Sequence, residues 1–245
     1  MKMHLGDNLV GVYLHGSAAM GGFNPRKSDI DYLVVVNERL SAGQKQRIGT
    51  GLVALAKDAP AKGIEMHIVT LAALKKFTYP TPFELHYSQM WHDQFANHQV
   101  DFATQKYDGD LAAHLAVTRS RGIWLYGEPI EAVIPEIPPQ FYRAAIVSDV
   151  EDAGEQIVGS PSYYILNLCR VLVYLLRGEV ASKIEAGNQG AQLVAPRYRQ
   201  LVKDALDEYQ ENARPVWDRD DLKQFAHYML GEIDRIMGEN PARGE

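Results

Sequence analysis

The chain is poor in cysteine, carries no excess of positive charge and contains no long apolar run. A single cysteine, Cys169, among 245 residues excludes an internal disulfide. It lies in the apolar stretch 163–176, where a thiol packs as a small hydrophobe. Such sparing use of cysteine fits a reducing, cytoplasmic setting. Lysine and arginine number 25 against 31 aspartates and glutamates, a net charge of -6. That balance gives no general attraction to nucleic acid or to an anionic membrane. No apolar run approaches the roughly 20 residues of a membrane span. The start shows no charged-then-apolar leader. Internal repeats and low-complexity tracts are also missing. The expected partners are therefore small molecules, with neither nucleic acid nor membrane, and the protein is expected to act as a monomer.

What is present is ordinary globular composition, 46% apolar and 23% charged. Residues 9–15 alternate and are rich in Val, Tyr and Leu, which predicts a strand. Residues 29–36 predict a second strand, with Leu33–Val36 buried on both faces. Residues 63–69 predict a third. Ser41 is a good N-cap for a helix over 41–57. Helices are expected over 71–77, 84–98 and 110–126. Pro129–Pro139 carries four prolines and is the expected interdomain linker. Beyond it, residues 141–158, 163–177, 195–212 and 220–237 all show helical spacing. Asp218 or Asp220 is the expected cap of the last. The predicted fold is α+β: a mixed-sheet domain over residues 1–134, then an all-helical bundle domain over 135–245.

The chemistry concentrates in the first half. Gly16-Ser17 ends the first strand, and Ser28-Asp29-Ile30-Asp31 opens the second. Alternation points Asp29 and Asp31 the same way. Two carboxylates side by side repel each other, and a divalent cation relieves the repulsion. Mg²⁺ favours one or two carboxylates together with substrate phosphates. Gly16 lets backbone approach a phosphate, and Ser17 offers a hydroxyl and an N–H where anions are favoured. Ser28 adds a further hydroxyl. On the third strand Ile64, Met66 and Ile68 face one way, and Glu65 and His67 the other. If the second and third strands are neighbours, Glu65 converges on Asp29 and Asp31 as a general base or third metal ligand. His15 and His67 read as structural neighbours. The remaining histidines show no metal-ligand spacing.

The stretch Leu14–Asp31 resembles the aminoglycoside nucleotidyltransferases, in particular the streptomycin/spectinomycin adenylyltransferase branch. The resemblance continues through Glu65, Tyr79-Pro80 and Glu84-Leu85, Ser182-Lys183-x-Glu185-Ala186-Gly187, Pro196 with Tyr198, and Phe225-x-His227-Tyr228. It implies a polymerase-beta-like nucleotidyltransferase domain that holds MgATP and a helical domain that closes over it. AMP would pass to a drug hydroxyl and pyrophosphate would leave. By the resemblance, Asp29 and Asp31 bind magnesium, with Glu65 as third ligand and base, while Gly16, Ser17 and Ser28 hold the triphosphate. Arg199 and Lys203 reach phosphates and Tyr228 contacts the nucleotide. By spacing alone, Arg199 and Lys203 share a helix face, which a solvated basic surface explains equally well. Tyr228 fits a core position equally well.

Two departures bear on the acceptor. Similar proteins have a helix ahead of the first strand, which begins here only a few residues in. After Ala186-Gly187 the family pattern has an acid and then a tryptophan, and here Asn188 and Gln189 stand instead. That acid, with a tryptophan for which Trp91 is the counterpart, goes with binding of cationic streptomycin. Without it a guanidinium loses a charge-assisted partner. Spectinomycin is therefore the favoured substrate, with Glu65, Trp91 and Asn188 around it. The alternative is an antitoxin-type nucleotidyltransferase that modifies a protein or an RNA end.

Overall fold

A computed structural model describes residues 1–239. The chain is α+β and divides into two compact units, Met1–Ile137 and the residues from Pro138 onward.

The first unit contains seven strands: β1 (Leu9–His15), β2 (Ile30–Val36), β3 (Ile64–Thr70), β4 (Thr81–Phe83), β5 (Leu85–Tyr87), β6 (Lys106–Asp108) and β7 (Ile123–Gly127). Its helices are α1 (Lys2–Leu5), α2 (Gly16–Ala19), α3 (Ala42–Leu55), α4 (Leu71–Lys75), α5 (His92–Ala96), α6 (Leu111–Arg121) and α7 (Ile130–Val133). Five strands form one mixed sheet in the order β5-β3-β2-β1-β7, and β4 pairs with β6 separately. Only the β2–β3 pair of the five-stranded sheet is parallel.

The sheet is covered on both faces, which is why Leu33–Val36 are all fully buried. On one face Val34, Val36, Met66 and Ile68 pack with Ile48 and Leu52 of α3 and Phe95 of α5. A capping box between Ser41 and Gln44 starts α3. On the other face Tyr13, Leu33, Val35 and Val69 pack with Leu111 and Leu115 of α6. Asp31, Glu65, His67 and His15 lie on this second face by alternation. The apolar half of the face anchors α6, and the polar half is left for other work.

Two expected helices of this unit differ. Residues 84–98 are not one helix. Leu85–Tyr87 instead pairs antiparallel with β3. Glu84 is held in place by Lys45 Nζ at 3.0 Å, Arg39 Nε at 3.1 Å and the Leu40 N–H at 3.1 Å. These fixed partners and the burial of Leu85 and Tyr87 override helical spacing. Residues 110–126 also divide, because Gly122 ends α6. A side chain there would meet the Thr118 carbonyl oxygen at 2.4 Å. The Ile-Trp-Leu-Tyr run beyond it has strand chemistry and pairs with β1. The proline-rich segment contains the division between the two units, and Ile130, Val133 and Ile134 within it are buried in the first unit.

The second unit is helical: α8 (Pro139–Ser148), α9 (Ala153–Gln156), α10 (Pro161–Arg177), α11 (Lys183–Leu193), α12 (Arg199–Glu211) and α13 (Arg219–Glu239). The expected 141–158 helix is therefore two helices, interrupted around Asp149–Asp152. The apolar α10 is central, packed by α8, α11, α12 and α13. Cys169 is buried there, and burial pushes its thiol up to about 12. Gly190 of α11 leaves the space that this thiol occupies, since a Cβ on it would lie 2.5 Å from Cys169 Sγ. Asp218 caps α13, accepting from the Asp220 and Asp221 N–H groups.

Candidate active site

Strand register builds the site. His15 of β1 lies opposite Asp31 of β2, and Asp31 lies opposite Glu65 of β3. Asp29 precedes β2 by one residue. One carboxylate oxygen from each of Asp29, Asp31 and Glu65 lies within 4.8 Å of the others. This is the convergence expected if β2 and β3 are neighbours.

Gly16 holds the entry to α2 with φ +60°, a left-handed conformation. A Cβ there would lie 1.9 Å from Asp31 Oδ2. The glycine therefore serves the carboxylate as well as the turn. Ser17 follows, its hydroxyl oxygen buried and without a hydrogen-bond partner in the protein. Such an atom is costly unless a ligand satisfies it. Ser28 is buried, and its Oγ accepts the Asn24 N–H at 3.0 Å. It thus ties down the loop that delivers Asp29.

Four histidines surround the carboxylates. His86 Nε2 lies 3.2 Å from Glu65 Oε1. His114, from α6, lies 3.1 Å from Asp110 Oδ2 and 3.9 Å from Glu65 Oε1. His67 Nε2 lies 3.1 Å from Asp108 Oδ2, and its ring stacks on His86 at 4.0 Å. His15 packs edge-on against His114 at 5.1 Å. These residues come from four separate segments, so no sequence spacing could reveal the cluster. The strand misread as helix concealed His86. His114 carried no signal beyond its place beside Leu115 in an amphipathic helix.

The cluster sets the charges. Burial raises the Glu65 carboxyl, but the His86 hydrogen bond and the nearby histidine charges outweigh it and hold it at about 2. Burial lowers His114, but the charge and hydrogen bond of Asp110, then Glu65 and Asp31, lift it to about 10. Burial holds His67 down at about 4 despite Asp108. Burial, with His114 and His67 nearby, also holds His15 well below its ordinary value. At neutral pH the site therefore presents ionised Glu65, cationic His114 and neutral His15 and His67.

A stability prediction follows from His114. Its raised value means that its contribution is complete below about pH 6.5 and is lost as pH rises through about 10. The melting temperature of the wild type should fall more steeply between pH 7 and 10 than that of His114→Gln. Equal slopes in thermal unfolding would refute this charge assignment.

The other expected residues are more dispersed. Trp91 packs partly against the sheet core and lines a small recess with Phe83, His86, Phe102 and Lys106. In the second unit Arg199 and Lys203 are both exposed on α12, and Asn188 is exposed on α11. Tyr228 accepts the Ala195 N–H at 3.1 Å and packs on Tyr198 at 5.0 Å. Its hydroxyl thus fixes the turn that leads into α12.

Both halves of the chain match known domain families. Residues 4–112 match the nucleotidyltransferase domain family, and residues 132–232 match the aminoglycoside adenylyltransferase C-terminal domain. A spectinomycin 9-adenylyltransferase of Staphylococcus aureus is 28% identical, over 96% of this chain and 91% of its own. An aminoglycoside (3'') (9) adenylyltransferase of Escherichia coli is 26% identical, over 98% and 93%. A crystal structure of a spectinomycin adenyltransferase from Enterococcus faecalis, with ATP and spectinomycin, shares the fold. Its TM-score is 0.80 at 24% identity, covering 95% of this chain and 94% of that one.

Proposed function

Because the chain belongs to the aminoglycoside nucleotidyltransferase family, we propose that it transfers AMP from magnesium-bound ATP to a hydroxyl of spectinomycin. The observation that carries this is the grouping of Asp29, Asp31 and Glu65 beside Gly16-Ser17.

Magnesium fits the residues present. Three hard oxygen donors lie close enough to share one ion, and like charges at that spacing favour a cation. When bound, the ion neutralises phosphate charge as the transfer proceeds. Asp29 and Asp31 are its proposed ligands, with Glu65 as third. The backbone at Gly16 and the partnerless Ser17 hydroxyl receive the triphosphate. Arg199 and Lys203 are proposed phosphate contacts, and Tyr228 a nucleotide contact through its ring.

Glu65 is ionised and fixed by His86; held at about 2 it is a weak base, so its proposed part is to orient the acceptor hydroxyl and take its proton as the bond to phosphorus forms. That oxygen bonds to the α-phosphorus, the bond from the α-phosphorus to the bridging oxygen breaks, and pyrophosphate leaves with the electron pair. His114 remains cationic beside the transferring group and offsets part of the local negative charge. A drug acceptor is favoured over protein or RNA by the match to the adenylyltransferase C-terminal domain and by the net charge of -6. Spectinomycin is favoured over streptomycin because Asn188 supplies no carboxylate for a guanidinium.

The test is product analysis. Purified protein incubated with MgATP and spectinomycin should yield drug carrying one added adenylyl group by mass spectrometry. Unmodified spectinomycin alongside a modified alternative acceptor would overturn the substrate assignment.

A further inference from the structure

Beside the three carboxylates stands a second group of different chemistry, His67, His86 and Asp108. His67 and His86 face each other directly across the β3–β5 pair. Asp108 ends β6, and its Oδ2 lies 3.1 Å from His67 Nε2. One ligand atom from each of the three lies within 4.8 Å of the others. All three stand on strands, which hold side chains more firmly than loops do.

The surroundings support the same side chains. The Asp110 N–H donates to Asp108 Oδ1 at 2.9 Å and fixes that carboxylate. Phe83 stands edge-on to both imidazoles, with centroids 5.7 and 6.0 Å from theirs. His86 Nε2 is bonded to Glu65, and a carboxylate behind an imidazole is the common support of a metal-ligating histidine. The His86 and Asp108 side chains are 19% and 23% exposed, against 2% for His67. The two outer groups thus leave an ion a way in, with His67 as the fixed inner wall. The imidazoles stack at an interplanar angle of 10°, so His86, the freer ring, would tilt to bring both nitrogens onto one ion.

Donor type decides which ion. Two imidazole nitrogens and one carboxylate oxygen suit zinc, whereas magnesium prefers oxygen donors. Three protein ligands would leave a fourth position for water. Asp29, Asp31 and Glu65 offer oxygen alone, so neighbouring groups in one sheet select different cations.

We propose that His67, His86 and Asp108 form a zinc-binding site, and that filling it inhibits adenylyl transfer. On ligation by His86, Glu65 either loses the bond that orients it or faces a divalent charge through the imidazole. In both cases it becomes a poorer partner for the acceptor hydroxyl. The inhibition rests on the proposed role of Glu65; the binding does not.

The test titrates Zn²⁺ into the full chain with Mg²⁺ in excess, followed by calorimetry and by NMR of the histidine rings. One equivalent should bind, and the resonances of His67 and His86 should shift most, a readout that needs no variant. Asp108→Asn keeps the shape and should weaken binding at least about tenfold, the loss that even a change behind a ligand produces. Asp31→Asn, which alters the magnesium ligands, should bind Zn²⁺ as the wild type does. No binding to the wild type, undiminished binding to Asp108→Asn, or binding lost in Asp31→Asn would overturn the site. Zn²⁺ should also slow transfer to spectinomycin at the concentrations at which it binds, and Asp108→Asn should need at least about tenfold more. An equal response of the two proteins would overturn the inhibition. If the wild type modifies no aminocyclitol, the functional reading fails, and the titration alone decides the metal site.

Discussion

Asp31→Asn should abolish adenylyl transfer, by about a thousandfold or more in kcat, while leaving the protein folded. A thousandfold loss corresponds to about 4 kcal/mol of transition-state stabilisation. Loss of a direct metal ligand commonly reaches this size, because charge neutralisation at the phosphates depends on it. The position is demanding. Asp31 is buried, stands between His15 and Glu65 in the sheet, and has Gly16 cleared away for its Oδ2. Asparagine keeps the shape and removes one of three crowded negative charges. The lost attraction to His114 is opposed by relief of repulsion from Asp29 and Glu65, so the variant should stay folded. Thermal unfolding and turnover measured on one preparation check both halves. Full turnover in the variant would remove Asp31 from the metal site.

Glu65→Gln should separate binding from chemistry. Glutamine retains the shape and can still bond to His86, so MgATP and spectinomycin should bind within a fewfold of wild type. Proton removal from the acceptor is lost, and kcat should fall by about 10²–10⁴, the usual range for a general base. The expected signature is a kcat effect with little change in KM for the drug. Steady-state kinetics with ATP saturating would show it. An unchanged kcat would assign the proton to another group. A loss of ATP binding would make Glu65 chiefly a metal ligand.

Much of this site was legible in the sequence for a simple reason. Strand alternation fixes which side chains share a face, and Gly16-Ser17, Asp29, Asp31 and Glu65 all lie on or beside strands. The continuous apolar run Leu33–Val36 announced a strand covered on both faces, and the sheet has helices on both. The rest depended on contacts between distant segments. Leu85–Tyr87 carries helical spacing but becomes a strand because β3 offers an edge and Lys45 holds Glu84. With that strand came His86, which bonds Glu65. His114 reaches Glu65 only because Leu111 and Leu115 dock α6 onto the same face of the sheet. His67, read as a bystander, links Asp108 and His86. Register and docking produce this cluster, and neither is written in the spacing of any one segment.

If Asp29, Asp31 and Glu65 form an adenylyl-transfer centre for an aminocyclitol acceptor, pyrophosphate is its direct by-product. The most direct measurement is pyrophosphate release by the purified protein with MgATP, alone and with spectinomycin, streptomycin or other aminoglycosides, in the wild type and in Asp31→Asn. Release should require spectinomycin, be weaker with streptomycin, and disappear in Asp31→Asn. Silence with every aminocyclitol, or equal release from Asp31→Asn, would contradict it.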